Sequence, residues 1–336
     1  MRAGALAVAA TLLASGLGLA EAQSSADLTL SLTVHGRTRV AYVHVPPRLD
    51  PAVPAAVVLG YHGGAGTAQG YIRHSQLFVK GERGGVVVVC PEGTLLPGSG
   101  EHRVWNSGPE YARAARDADD VAFTAALIDE IARRYPIDGK RVYATGFSNG
   151  GQMAYRLALE LASRIAAIAP MSGGRLVDGP PSARAVPVLH IHGTADSLYP
   201  LAGGLGSHSI GRTPHVAILP MIADWAARNG DAAVAQVEAH SGWTRQAYVG
   251  PAPIELVLVE GLGHQIAGGE DDRLPGQALA VVREGDDRGR RPHPLGILNH
   301  PWRGTFHDGD AGIRRAKVDA DDLTHDILSF WQVGRT

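Results

Sequence analysis

Cysteine is nearly absent from this sequence of 336 residues, which contains only Cys90. One thiol cannot form a disulfide bond within the chain. Cys90 ends an apolar run at residues 85–90 that is typical of an interior strand, so we expect a buried thiol. A catalytic cysteine would need an activating partner, and the sequence places none for it.

An excess of one charge is also absent. The chain has 31 Lys and Arg against 33 Asp and Glu, a formal net charge of −2, with both signs spread along its length. A nucleic-acid-binding protein needs a concentrated basic face, so we expect no nucleic-acid partner. Apolar residues make up 45% and charged residues 19%, which indicates a globular rather than a disordered chain.

Long apolar runs are lacking except at the N-terminus. Met1 and Arg2 form a short positive segment, residues 5–20 are rich in Ala and Leu, and small residues stand at 20 and 22. This pattern predicts a signal peptide over residues 1–22, and therefore a secreted or periplasmic protein with no stable membrane insertion after cleavage. An uncleaved membrane anchor is the alternative, although spanning a bilayer takes about 20 apolar residues.

Apolar, strand-like segments alternate with amphipathic, helical segments along the rest of the chain. The alternation predicts an α/β fold with a mostly parallel central sheet and helices on both faces. We expect one domain over residues 23–336, with an irregular insertion at residues 265–320. Strands are predicted at residues 27–46 (an antiparallel pair), 54–61, 85–90, 141–145, 165–170, 186–191 and 254–259, and helices at 121–135, 152–162, 220–229 and 321–331.

A Gly-x-Ser-x-Gly motif at residues 146–150 lies between a predicted strand and a predicted helix. At such a turn the residues that flank the serine must be small, and the serine is held in a strained conformation with its hydroxyl exposed. We therefore predict that Ser148 is a nucleophile. The alternative is a glycine-rich turn without a chemical role.

A serine hydroxyl needs a histidine to accept its proton, and that histidine needs an acid to orient it. Asp196 follows the strand predicted at 186–191, and His264 follows the strand predicted at 254–259. Both loops emerge at the sheet edge where Ser148 lies, and the order Ser, Asp, His is one that such triads adopt. The weaker rivals for these two roles are Asp231 for the acid and His293, His300 and His307 for the base.

Acyl transfer also needs two backbone amides that stabilise an oxyanion. We predict the amide of Asn149, directly after the serine, and the amide of Gly64 in the glycine-rich run at residues 62–66, with Ala65 as the alternative. The same run could form a phosphate loop, but it lacks the Gly-Lys-Ser/Thr ending.

We expect neither a metal nor another cofactor. His190 and His192 would share one face of a strand, but no third ligand is evident, so a structural role is favoured over a metal site. The acidic clusters at residues 270–272 and 308–310 lack the full spacing of a calcium loop and are interpreted as solvated surface.

Short motifs follow one another at residues 61–64, 91–94, 105–108, 119–121, 142–151, 192–196 and 263–264. Together they resemble the poly(3-hydroxybutyrate) depolymerase and feruloyl-esterase group of α/β-hydrolases. The resemblance implies an α/β-hydrolase fold and places the catalytic residues of that group on Ser148, Asp196 and His264. One departure is the segment after His264, where the group often has a Thr-Trp-Pro-Gly-Gly type run and this chain has Gln265 to Gly269.

The sequence therefore predicts a secreted serine carboxylic-ester hydrolase that works through an acyl-enzyme. Its expected substrate is a polyhydroxyalkanoate polymer or oligomer, or a feruloyl or acetyl ester of plant polysaccharide. The alternatives are a non-catalytic binding protein on a hydrolase scaffold and a hydrolase of another polymer or of an amide bond. Trp105 is a predicted substrate contact, as are Trp302 and Phe306 in the insertion, which could instead be a disordered surface excursion.

Overall fold

A computed structural model of the protein describes residues 26–269, except 48, 51, 97, 179–183, 208–213 and 232–233. The signal peptide predicted at 1–22, the helix predicted at 321–331 and all but the first five residues of the predicted insertion lie outside these residues. Trp302 and Phe306 therefore also lie outside them, as do the three rival histidines.

The described residues form one large sheet, a small two-stranded ribbon and a set of helices. The strands are β1 (Ala26–Val34), β2 (Arg37–Val45), β3 (Ala55–Tyr61), β4 (Val87–Pro91), β5 (Thr94–Leu95), β6 (Arg103–Val104), β7 (Ile137–Phe147), β8 (Ala167–Met171), β9 (Val188–Gly193), β10 (Val234–His240), β11 (Trp243–Tyr248) and β12 (Ile254–Val259). The helices are α1 (Ala68–Ser75), α2 (Leu77–Gly84), α3 (Pro109–Ala112), α4 (Asp120–Arg134), α5 (Asn149–Glu160) and α6 (Ile218–Asn229). None of these helices combines the length and apolar character that crossing a membrane requires.

The large sheet has ten strands in the order β1-β2-β4-β3-β7-β8-β9-β12-β11-β10. The six central strands, from β4 to β12, are parallel to one another. Two antiparallel strands flank them at each edge. The prediction of a mostly parallel sheet is therefore confirmed.

Strand β3 shows how the two faces of the sheet are covered. All seven of its residues are buried, and successive side chains point to opposite faces. Val57 and Leu59 pack in one apolar cluster with residues of α4, α5 and α6, whereas Val58 packs in a second cluster with residues of α1 and α2. Helices thus cover both faces of the sheet, which is why a central strand has no polar side.

The chain changes direction across the sheet at β3. It passes from β3 to β4 on one side, and then to β7 on the other side. The loops that leave β3 and β7 therefore diverge, and such a switch point is where open α/β sheets bind ligands. Ser148 directly follows β7, and the glycine-rich run at residues 62–66 directly follows β3.

The turn at Ser148 leaves no connecting loop between strand and helix. Helix α5 begins at Asn149, three residues earlier than predicted, and Ser148 is its N-cap with φ 54° and ψ −118°. A side chain at Gly150 would bring its Cβ to 2.6 Å from the carbonyl oxygen of His62. The predicted need for small residues at this turn is met, because the helix start lies against the end of β3.

Several elements were not predicted from the sequence, among them the very short β5, β6 and α3. Helices α1 and α2 have eight residues each, too short to be stable alone, and they depend on packing of Tyr71 and Leu77 against the sheet. Strands β10 and β11 form an antiparallel hairpin at the sheet edge. Polar residues interrupt the hairpin's apolar pattern, since an edge strand needs only one buried face.

The crowding at the turn generates a stability prediction. Replacing Gly146 with Ala would place a Cβ 2.9 Å from the carbonyl oxygen of Tyr61, so we expect destabilisation by about 1–3 kcal/mol or more. Gly139 lies in the same strand with open space around it, so Gly139→Ala is the matched control. Thermal unfolding measures both variants, and equal melting temperatures would contradict the crowding argument.

Candidate active site

The three predicted side chains lie at one edge of the sheet, each after a different parallel strand. Ser148 follows β7, Asp196 lies in the loop after β9, and His264 lies in the loop after β12. Since the carboxyl ends of parallel strands meet at the same edge, residues far apart in sequence come into contact there.

The three side chains form a continuous line of hydrogen bonds. The Oγ of Ser148 lies 2.8 Å from Nε2 of His264, and Nδ1 of His264 lies 2.8 Å from Oδ2 of Asp196. Oδ2 of Asp196 accepts a hydrogen bond from Nδ1–H of His264. In this tautomer Nε2 carries no proton, so it can accept the proton of the serine hydroxyl. The ring of Phe147 packs against the ring of His264, with centroids 4.7 Å apart. Asp231, the rival acid, is not part of this line.

Asp196 is buried, yet its surroundings favour the charged form. Its Oδ1 accepts hydrogen bonds from the amides of Leu198, at 3.0 Å, and Tyr199, at 2.7 Å. Burial by itself would raise the pKa of Asp196, but the interaction with His264 and these amide bonds outweigh burial, so the pKa lies below its usual value. The carboxylate can therefore orient His264 and stabilise an imidazolium.

The structure distinguishes between Gly64 and Ala65 as candidate oxyanion donors. The amide of Ala65 donates to the carbonyl oxygen of Arg103 at 2.8 Å, so it is already engaged. Within the described residues the amide of Gly64 has no such acceptor, and a Cβ on Gly64 would lie 3.5 Å from the Cβ of Asn149. Asn149 is the first residue of α5, where amides lack an intrahelical partner. Gly64 and Asn149 thus approach each other beside Ser148.

Trp105 lies beneath this pair of amides rather than in contact with solvent. Its side chain is 0% exposed, its indole N–H donates to the carbonyl oxygen of His62 at 2.9 Å, and its amide donates to Oδ1 of Asn149 at 2.7 Å. The expectation that Trp105 contacts the substrate does not fit this position. Trp105 instead ties the loop after β3 to the start of α5.

His62 supports the same loop and was missed as a functional position. Its Nδ1 lies 2.7 Å from the carbonyl oxygen of Gly63, and its Nε2 accepts the amide of Gly93 at 3.0 Å. The ring is therefore neutral with its proton on Nδ1. Burial is the main cause that lowers the pKa of His62 to about 4. The Tyr-His-Gly-Gly motif at residues 61–64 was the signal that could have identified it.

The acids before α4 have separate roles. Asp119 caps the helix by accepting the amide of Ala122 at 2.8 Å. Asp120 is buried, pairs with Arg39 at 2.7 Å, and accepts the amide of Asn106 at 2.7 Å. Sequence analysis did not foresee this ion pair, because Arg39 lies 81 residues away in β2.

The cysteine and the two histidines that sequence analysis considered as a nucleophile or as metal ligands are all buried. Cys90 is buried as predicted, and burial raises the pKa of its thiol. His190 and His192 are fully buried and bond to each other. Among the described residues, no group of three or more His, Cys, Asp and Glu side chains is arranged to hold a metal ion.

The parallel sheet, its switch point and the strained serine turn define the protein as an α/β-hydrolase. The solved acetyl xylan esterase from Aspergillus awamori has the same fold, with a TM-score of 0.54 at 18% identity over 71% of this chain and 94% of that one. The family model described as Esterase PHB depolymerase matches residues 41–241. The chain therefore belongs to the esterase PHB depolymerase family.

Two curated proteins show the level of similarity within the group. Putative esterase NocK of Nocardia uniformis subsp. tsuyamanensis is 36% identical over 193 residues, which cover 54% of this chain and 53% of that protein. Feruloyl esterase B of Piromyces equi is 36% identical over 161 residues, which cover 46% of this chain and 28% of that protein. The chain thus spans about half the length of the first relative and less of the second.

A second family model, described as NAD-specific glutamate dehydrogenase, matches residues 269–325. Only the first residue of this match is described by the structure. A match this short does not establish membership of that family.

The burial of neutral His62 generates a pH prediction. The pKa of His62 is about 4 in the folded protein and about 6.5 in the unfolded chain. Between pH 4 and pH 6.5, therefore, His62 is protonated in the unfolded state only. Stability should therefore fall as the pH drops through this window, by about 3 kcal/mol from His62 alone.

Urea unfolding at several pH values measures this dependence. In His62→Gln the slope of unfolding free energy against pH should decrease by about 1.4 kcal/mol per pH unit within the window. The slope is the relevant quantity, because the substitution also lowers stability at every pH. An unchanged slope would show that His62 is not held neutral by the fold.

Proposed function

We propose that this protein is a serine carboxylic-ester hydrolase that works through a covalent acyl-enzyme. The observation that carries the proposal is the line of hydrogen bonds from Asp196 through His264 to Ser148, each 2.8 Å long, at a strained strand–helix turn. Membership of the esterase PHB depolymerase family supports the same reaction class.

In the acylation step, Oγ of Ser148 attacks the ester carbonyl carbon while Nε2 of His264 accepts the serine proton. Asp196 holds the imidazole in the required tautomer and stabilises the imidazolium. The tetrahedral intermediate then collapses, the bond from the carbonyl carbon to the leaving alkoxy oxygen breaks, and His264 gives its proton to that oxygen. An alcohol leaves, and the acyl group remains on Ser148.

The amides of Gly64 and Asn149 supply the oxyanion donors in this proposal. Gly64 lies in the loop after β3, Asn149 begins α5, and buried Trp105 joins these two segments. Donors held in position before the reaction stabilise the negative charge as it develops on the carbonyl oxygen.

Deacylation repeats the same chemistry with water. His264 accepts a proton from water, the hydroxide oxygen attacks the acyl carbon, and the bond to Ser148 breaks. His264 then returns a proton to Oγ, which releases a carboxylic acid and restores the enzyme. These steps use only side chains and backbone amides of the chain.

A cleft of 430 Å³, lined mainly by residues between 175 and 178 and between 214 and 224, is the proposed substrate site. The cleft lies close in sequence to Gly173, where an added Cβ would clash with the carbonyl oxygen of Ser148, and a Cβ on Gly174 would lie 2.8 Å from Val216. Val216 and Arg175 line the cleft. Arg175 pairs there with Asp224 at 2.8 Å, so the wall offers both charged and apolar contacts.

We propose an ester of plant polysaccharide, feruloyl or acetyl, or a hydroxyalkanoate polymer or oligomer as the substrate. Relatives whose names specify feruloyl and acetylxylan ester hydrolysis support the first class, and the family's name supports the second. Parallel assays with methyl ferulate, acetylated xylan and poly(3-hydroxybutyrate) distinguish the classes. If the protein hydrolyses none of the three compounds, both proposed substrate classes are refuted.

Secretion is proposed on the basis of residues 1–22. N-terminal sequencing of the protein exported by a bacterial host should then begin at Gln23. Retention of the first 22 residues would contradict this proposal.

The role of Ser148 yields a direct prediction. Ser148→Ala should abolish hydrolysis of a p-nitrophenyl ester and labelling by a fluorophosphonate probe, because the attacking oxygen is removed. Ser75 is a buried serine on α1, so Ser75→Ala is the control that should keep both. Hydrolysis retained in Ser148→Ala would refute the mechanism, and wild-type protein that resists the probe would favour a non-catalytic binding protein.

A further inference from the structure

A line of three buried side chains ends at the turn that holds Asp196. Tyr155 in α5 and His190 and His192 in β9 each have 0% of their surface exposed. The mechanism above does not use any of them. Burying three polar side chains is unfavourable unless each finds a hydrogen-bond partner, so their arrangement requires an explanation.

The three side chains are bonded in sequence. The hydroxyl of Tyr155 lies 2.9 Å from Nδ1 of His190, and Nε2 of His190 lies 3.2 Å from Nδ1 of His192. Nε2 of His192 lies 2.8 Å from the carbonyl oxygen of Tyr199. The two imidazole rings are stacked, with an angle of 11° between their planes.

The last acceptor determines the direction of every bond in the line. A carbonyl oxygen only accepts, so Nε2 of His192 must carry a proton. Nδ1 of neutral His192 then accepts from Nε2–H of His190, whose Nδ1 accepts the hydroxyl proton of Tyr155. One arrangement of protons satisfies all of these groups with both rings neutral. Burial lowers the pKa of His190 and of His192, which agrees with neutral rings.

The end of the line meets the turn that holds Asp196. Tyr199 accepts from His192 through its carbonyl oxygen and donates its amide to Oδ1 of Asp196 at 2.7 Å. Nε2 of His192 also lies 3.8 Å from Oδ2 of Asp196, the oxygen that binds His264. The backbone of a single residue therefore connects His192 to the triad acid.

We propose that His192 is a positioning residue, which holds the turn at residues 196–199 so that Oδ2 of Asp196 faces His264. The line through His190 to Tyr155 accommodates the tautomer that His192 needs for this purpose. The inference rests on the proposed function, because it assigns His192 a role in the same reaction.

Two amide substitutions separate this role from a general contribution to folding. The amide nitrogen of Gln can take the position of Nε2, whereas the shorter Asn reaches only the position of Nδ1. His192→Gln should therefore keep the donor to Tyr199, and His192→Asn should lose it. We expect His192→Asn to lower kcat about 100-fold with KM changed less than about threefold, since a small misplacement of a catalytic group has effects of that size. His192→Gln should retain kcat within about fivefold of the wild type.

His44 provides a control for the loss of a buried histidine. It lies in β2 and bonds to Asp27 at 2.7 Å and Glu82 at 2.9 Å. His44→Gln should change the melting temperature without changing kcat. Equal losses of kcat in His192→Gln and His192→Asn, or no loss in either, would overturn the positioning role.

A spectroscopic measurement tests the inference independently of turnover. A histidine Nδ1–H bonded to a carboxylate gives a far-downfield proton resonance, and His264→Ala assigns it. This resonance should persist in His192→Gln and shift or broaden in His192→Asn. If the wild type hydrolyses no ester, the proposed function fails while this resonance still decides whether His192 positions Asp196. An identical resonance in both variants would refute the inference.

Discussion

The close approach of the start of α5 to the end of β3 is the constraint on which the rest of the site depends. No side chain fits at position 146 or 150, where both residues are glycine. The chain must therefore turn from strand to helix at one residue. That residue, Ser148, takes a positive φ, which L-residues rarely adopt and which turns its side chain out of the sheet. The same approach brings the amide of Asn149 toward the loop after β3. One steric condition therefore turns the proposed nucleophile outward and brings the two proposed oxyanion donors together.

Such a turn is strained, and the hydrogen bonds of buried polar side chains next to it stabilise it. Trp105 binds the loop after β3 with its indole and the helix start with its amide, and His62 and Asn149 complete the same layer. At the acid of the triad, His192 is bonded to the turn that holds Asp196. Satisfied buried polar groups are rigid, because breaking any of their bonds leaves an unpaired group in a nonpolar interior. Buried hydrogen bonds thus hold both the segments around Ser148 and the turn that carries Asp196.

The predictable part of the fold was the part with a strong local pattern. The strand at residues 254–259 was predicted with the bounds it has, since its apolar residues contrast with the turn residues on either side. The hairpin of β10 and β11 was missed because an edge strand mixes polar and apolar residues. Helix α5 was predicted to begin three residues late, since Gly150 and Gly151 resemble loop residues in sequence although both are buried against the sheet.

For the site, the sequence by itself determined which residue types follow which strands, and hence that Ser148, Asp196 and His264 share one sheet edge. The tertiary structure decided that the amide of Ala65 is occupied and that of Gly64 is not, and that Trp105 is buried rather than open to substrate. It also decided the direction of the hydrogen bonds behind Asp196. The physical reason is the same in each case. A periodic pattern records which face of an element is buried, whereas a hydrogen bond between residues dozens of positions apart depends on where two loops meet in space.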